Sequence, residues 1–138
     1  MAEHKFFSEE WCQEALKSEQ ALPDKVLKEF KNAPKFTHIM GFEVTDRPGV
    51  AVQGDYIKGR VQSWTSKNLL PQEQLWALFK GKLENYREAV TGKTPAVNLV
   101  MSGKIRLAKG TMKDALENAK GLDILLRHWG TVPTDWDI

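Results

Sequence analysis

Residues 77–110, ALFKGKLENYREAVTGKTPAVNLVMSGKIRLAKG, change their hydrophobic period at every glycine they pass. Before Gly81 the apolar residues form one short continuous run. Between Gly81 and Gly103 they fall at helical spacing, and between Gly103 and Gly110 they alternate. That order suggests strand, two short helices, strand, and then a longer helix beyond Gly110. Gly92 suits the C-terminus of the first short helix, where Tyr86, Ala89 and Val90 share a face. Thr94-Pro95 opens the second, with Val97, Val100 and Met101 inward. Nothing in the segment has the form of catalytic machinery.

The run Leu75-Trp-Ala-Leu-Phe79 is itself ambiguous, because a short apolar run fits a buried strand and a helix equally well. At five residues it is also far below the ~20 needed to span a membrane, so no integral membrane segment is expected. The opening MAEHKFFSEEW reads as polar, without the form of a signal peptide.

Upstream, Ser8 is an N-cap candidate with Glu9 and Glu10 in the first turn. Trp11, Cys12, Ala15 and Leu16 follow as one apolar stripe. Leu22-Pro23 interrupts this helix, Val26, Leu27 and Phe30 restart it, and Asn32-Ala-Pro34 ends it. Residues 36–46 alternate, placing Phe36, His38, Met40, Phe42 and Val44 on one face of a strand. Asp46-Arg-Pro-Gly49 is a turn, residues 50–57 return as a second strand, and Lys58-Gly59 turns into a third over residues 60–65. There Val61 and Trp64 are expected on opposite faces. From Thr111 a long helix carries Met112, Ala115, Leu116, Ala119, Leu122, Leu126 and Trp129. Gly121 within it calls either for a close approach to the sheet or for a break into two helices.

The candidate chemical motifs fail on spacing. Thr91-Gly-Lys-Thr94 lacks the glycine five positions before Gly92 that a phosphate-binding loop needs, since Arg87 stands there. His4, His38 and His128 are too far apart for a metal site, and no nucleophile elbow occurs. Cys12, the one cysteine, sits in an apolar stripe and reads as a buried thiol; it leaves no disulfide to form. A net charge of +2 with scattered basic residues gives no nucleic-acid footprint. No metal and no cofactor are expected, and the chain of 138 residues suits a single domain, 1–138, in the cytoplasm. Five tryptophans are many for this length, and they fit either a core of large fillers or a ligand-lined cavity.

Tyr86-Arg-Glu-Ala-Val-Thr-Gly92-Lys, then Leu99-Val-Met-Ser-Gly103-Lys-Ile-Arg-Leu-Ala-Lys-Gly110 and Met112, resemble the sterol-carrier-protein-2-like lipid-binding family. Val132-Pro-Thr-Asp-Trp136 is similar to the ending of its prokaryotic stand-alone members. Thr94-Pro95 and Thr111 depart from the family's usual Asp-Pro and Asp or Asn. The resemblance implies that residues 75–82 are a strand. It also implies an α+β fold, a five-stranded antiparallel sheet with helices packed on one face and an apolar tunnel enclosed between them. It implies a non-enzymatic carrier of fatty acid, acyl-CoA, sterol-like or isoprenoid lipid, monomeric or homodimeric.

On that reading the cavity-lining candidates are Phe42, Trp64, Trp76, Phe79, Tyr86, Val90, Met101, Leu116 and Trp129. Trp76 and Phe79, three apart on one strand, cannot share a face. Lys82, Arg87 and Lys104 are candidates for a polar mouth. Two rivals remain open. One is an accessory or oligomerisation module docking a partner protein, which an apolar patch near residues 129–136 would favour. The other is a small acyl-transfer enzyme, for which Cys12 near His38 or His128 is the only nucleophile and base on offer.

Overall fold

The computed structural model describes residues 3–21 and 36–138. The proline interruption and helix restart expected over residues 22–34 lie outside the described residues. Strand β1 (His4–Lys5) pairs in parallel with β7 (Thr134–Asp135), so the two ends of the described chain meet. Helix α1 (Glu9–Gln20) starts where Ser8 accepts a hydrogen bond from the Trp11 amide at 3.2 Å. Its buried face is Trp11, Cys12, Ala15 and Glu19.

The main sheet is built from β2 (His38–Val44), β3 (Ala51–Ile57), β4 (Arg60–Thr65), β5 (Ala77–Gly81) and β6 (Ile105–Lys109), in the order β4-β3-β2-β5-β6. It is mixed rather than antiparallel throughout. β2 and β5 run parallel, Phe42 opposite Phe79 and Gly41 opposite Leu78, while the other three pairings are antiparallel. The connection over residues 66–76 is the cause. It leaves β4 at one edge and crosses the sheet to place β5 beyond β2. On the way Leu70 exchanges two hydrogen bonds with the Gln53 side chain of β3, both 2.9 Å. A 3-10 turn, Gln72–Gln74, then lowers the chain to Trp76, whose amide donates to the Ile39 carbonyl at 3.0 Å.

Alternation along β2 turns Met40, Phe42 and Val44 to one face, where they are buried. Val61 and Trp64 of β4 both join them, contrary to the expectation of opposite faces. A bulge explains this: Tyr56 pairs with Val61 but Asp55 with Ser63, so Gln62 is the extra residue and the later side chains change sides. Gly54 lies directly under Trp64, and a Cβ there would stand 2.5 Å from the indole ring.

Against this face pack α1 and three later helices. Helix α2 (Leu83–Val90) begins where the Asp46 carboxylate accepts from the Leu83 amide at 3.0 Å, and Gly92 beyond its end takes φ +78°. Helix α3 (Ala96–Met101) follows Pro95. The expected long helix is two, α4 (Met112–Glu117) and α5 (Ala119–Trp129), parted at Asn118. The Asn118 side chain donates to the Asp114 carbonyl at 2.9 Å, which satisfies the end of α4. Gly121 is buried inside α5, three positions past the break.

Candidate functional site

The interior between the sheet and α2, α3 and α5 divides into two halves that share Phe42. One half is aromatic. Phe6 and Phe7 stack at 3.9 Å, Trp11 meets Trp129 edge-on at 5.3 Å, and Trp64 meets Trp129 at 5.4 Å. Phe7, at φ +64°, sends two successive rings to the same side of the chain. Trp136 closes this end by packing on Phe6 at 4.5 Å.

The other half is aliphatic. Phe42 stacks on Phe79 at 5.2 Å with 14° between the rings, and Ala96, Val100, Ile105, Leu122 and Leu126 surround them. A void of about 10 Å³ remains among these seven side chains. A drug-sized ligand occupies a cavity of roughly 300–1,000 Å³, so the space is a closed seam between sheet and helices. An enclosed tunnel is not what the structure shows.

Buried polar groups in this interior mostly have structural partners. The Tyr86 hydroxyl donates towards the Glu43 carbonyl at 2.9 Å and the Phe79 carbonyl at 3.1 Å, tying α2 to the β2–β5 seam. Burial pushes its pKa far above the ordinary phenol range. The Glu19 carboxyl, 3% exposed, accepts from the Tyr56 hydroxyl at 2.5 Å and from Trp64 Nε1 at 2.8 Å. Burial raises its pKa above the ordinary value, against the two hydrogen bonds, which lower it. Cys12 is held as a thiol with its pKa pushed up to about 12, first by burial and then by the charges of Glu9 and Glu10. That removes the thiolate an acyl-transfer reaction at Cys12 would need. Among the described residues no group of three metal-ligating side chains occurs.

No family model matches the chain, and no curated protein matches it. Solved structures do. A crystal structure of sterol carrier protein 2 superposes with a TM-score of 0.75 at 18% identity, over 93% of this chain and 99% of that one. A conserved hypothetical protein of Thermus thermophilus, described as possibly a sterol carrier protein, superposes with a TM-score of 0.76 at 18% identity. It covers 97% of this chain and 94% of its own. The chain has the sterol carrier protein fold. Sterol carrier protein 2 of Yarrowia lipolytica, in its apo form, is a weaker match, with a TM-score of 0.52 and 15% identity over 86% of this chain and 88% of that one.

Within the sterol carrier fold the expected lining residues separate into four groups. Phe42 and Phe79 border the residual void. Trp64, Tyr86 and Trp129, each fully buried, form the aromatic half, and Val90 is buried at the end of α2. Trp76 lies elsewhere, half-buried and stacked on His38 at 4.6 Å with Phe36 at its edge. Met101 and Leu116 face solvent at 64% and 44% exposure. Their helices are six residues long, too short for spacing to set the phase. α3 turns Ala96, Leu99 and Val100 inward instead, and α4 turns Ala115.

Five residues at the void, Ala96, Val100, Ile105, Leu122 and Leu126, were not among the expected lining residues, although Val100, Leu122 and Leu126 had been placed on apolar helix faces. The i, i+4 pairs Ala96/Val100 and Leu122/Leu126 were the available signal. Of the mouth candidates, Lys82 and Lys104 border one surface depression at the start of α2. Arg87 instead lies over the Trp136 ring at 5.7 Å. The patch that would favour a docking module is missing, since Trp129 and Val132 are buried and Trp136 is half-buried against Phe6. No described helix is long and apolar enough to cross a membrane.

Proposed function

We propose that the protein binds an apolar lipid (a fatty acid, acyl-CoA, sterol-like or isoprenoid molecule) between the sheet and α3 and α5, and carries or sequesters it without chemistry. The observation that carries this reading is the aliphatic seam itself. Its seven lining side chains are all apolar, and it already retains a void at the Phe42–Phe79 stack. Two neighbouring structures described as sterol carrier protein, or possibly so, share its fold at near-complete coverage. Transfer of an acyl chain into such a space is favourable by ~0.8 kcal/mol per CH₂.

Entry requires the seam to open, and α3 is the element suited to move. It is held at its start by the Asp123 carboxylate, which accepts from the Ala96 amide at 3.2 Å. The preceding Thr94 adds two bonds to Glu88, its hydroxyl to the carboxylate at 3.0 Å and its amide to the carbonyl at 3.3 Å. Lining candidates after opening are Phe42, Phe79, Val90, Ala96, Val100 and Leu122.

The test is native mass spectrometry of protein purified from its host, with extraction of bound lipid and titration with fluorescent fatty-acid and sterol probes. A co-purifying apolar ligand, displaced by a probe, is the expected result. Val100→Trp, which fills the seam, should abolish probe binding while the fold persists. A protein that is empty and also leaves both probes unbound would overturn the proposal.

A further inference from the structure

The face of the sheet turned away from the helices is not a plain solvent surface. Gly41, Leu78, Lys80, Glu43 and Arg106 point to it, and the 66–76 connection crosses it. Leu75 and Leu78, each 4% exposed, lie over Gly41: a Cβ at that glycine would come within 3.0 Å of both leucine side chains. These two leucines stand apart from the main core cluster. Leu69 and Leu70 on the connection add apolar surface that is 38% exposed at each. Together with the turn over residues 47–50 they border a depression of about 590 Å³, within the range of small-molecule sites.

The charges at one end of this depression are unbalanced. Its lining holds Arg47, Lys80 and Arg106 against a single carboxylate, Glu43. Arg47 is engaged, its Nε donating to the Ile138 carbonyl at 2.7 Å and its guanidinium 3.3 Å from Asp46. Glu43 reaches Lys80 at 3.8 Å. The Arg106 guanidinium has no hydrogen-bond or ion-pair partner among the described residues, and it stands directly across the strands from Lys80. Like charges in directly opposed positions destabilise a sheet. An anion seated between them relieves that repulsion and gains charge-assisted hydrogen bonds from both. Lys80 and Leu78 share a face two residues apart, about 7 Å, so a head group on the cations puts its tail on the leucines.

We propose that this face binds a small amphipathic anion. Its carboxylate or phosphate monoester head sits between Lys80 and Arg106, and its apolar tail lies against the exposed Leu70 and Leu69, over the buried Leu75 and Leu78. The site is on the opposite side of the sheet from the interior seam, so each stands or falls without the other.

Amide chemical-shift titration of the labelled protein with octanoate, octyl phosphate, octanol and inorganic phosphate tests it. Octanoate and octyl phosphate should shift the amides of Leu69, Leu70, Leu78, Lys80 and Arg106. Octanol and inorganic phosphate should bind about tenfold more weakly or worse, each lacking one half of the interaction. Arg106→Gln and Lys80→Gln, both surface changes, should each weaken octanoate about tenfold while leaving the rest of the spectrum in place. The proposal is overturned by shifts confined to Ala96, Val100, Leu122 and Leu126, by equal binding of inorganic phosphate and octyl phosphate, or by unaltered affinity in the Lys80→Gln/Arg106→Gln double variant. A response to phosphatidylglycerol vesicles with none to monomeric octanoate would also overturn it, marking a membrane-contact surface instead.

Discussion

Trp64 and Glu19 meet in the core with the indole Nε1 donating to the carboxyl oxygen across 2.8 Å. The bond joins the last strand of the β2-β3-β4 meander to the end of α1. With the Tyr56 hydroxyl on the other oxygen, one carboxyl satisfies two buried donors.

This carboxyl makes stability depend on pH in a stated direction. Burial, partly offset by the Tyr56 and Trp64 bonds, raises its pKa above the ordinary 4.5. A raised folded-state value means the contribution is full below the unfolded pKa and declines as pH rises through the folded one. Glu19→Gln should therefore gain stability relative to the parent as pH increases from about 4.5, read by urea denaturation at several pH values. A difference that is flat with pH, or that shrinks as pH rises, would refute the assignment. Glu19→Ala strands two donors and should cost about 1–3 kcal/mol for each.

Gly54→Ala forces a methyl group against the Trp64 ring, which is fully buried and cannot swing away. A loss of about 1–3 kcal/mol is expected by denaturant titration. Parent-like stability would show that the ring has room to retreat.

Asp123→Ala removes the acceptor at the start of α3. Hydrogen exchange over residues 96–101 should accelerate, by an amount equivalent to about 1 kcal/mol, and fluorescent fatty-acid probes should associate faster. Unchanged exchange across α3 would remove this helix as the moving element.

Cys12 should resist thiol reagents at pH 8, because its pKa of about 12 leaves almost no thiolate. Labelling should follow unfolding when urea is added. Rapid stoichiometric labelling of the native protein would contradict the thiol's burial.

Met101→Ser and Leu116→Ser should each change stability by no more than about 0.5 kcal/mol, as exposed positions do. Leu122→Ala at the seam should cost about 2–5 kcal/mol. Equal costs at the two kinds of position would show that α3 and α4 pack differently.

Much of this fold was legible where the signal is local. The turn at residues 46–49, β4 and the glycine-bounded α2 and α3 follow from period and turn chemistry, and each lies within a residue or two of its expected place, whereas β5 was a strand only by the resemblance. The parallel β2–β5 pairing was not legible, because nothing in either strand's own pattern names its neighbour. Nor was the bulge at Gln62, which sends Val61 and Trp64 to one face through a single unpaired residue. The site was half legible. Phe42 came from strand alternation and Phe79 only through the resemblance, whereas Met101 and Leu116 were assigned on helices under two turns long. Glu19 extends the Trp11, Cys12, Ala15 stripe by another four residues. Its charge hid a position that the spacing had already marked as buried. Phe6 and Phe7, in a stretch that reads as polar, are part of the aromatic core.

The parallel pairing has a consequence for assembly. Hairpins β2-β3 and β3-β4 close through turns of a few residues, and β5 reaches β6 within one local unit. Within the main sheet the β2–β5 register, from Met40 opposite Ala77 to Val44 opposite Gly81, closes a longer stretch of chain than any other pairing, so its closure entropy is the largest that sheet must overcome. The expected order is therefore that the seam along Met40–Val44 and Ala77–Gly81 is the last of the sheet to gain protection, which pulsed exchange labelling during refolding reads directly. If those amides gain protection together with the β3–β4 hairpin, that pairing is not the last step.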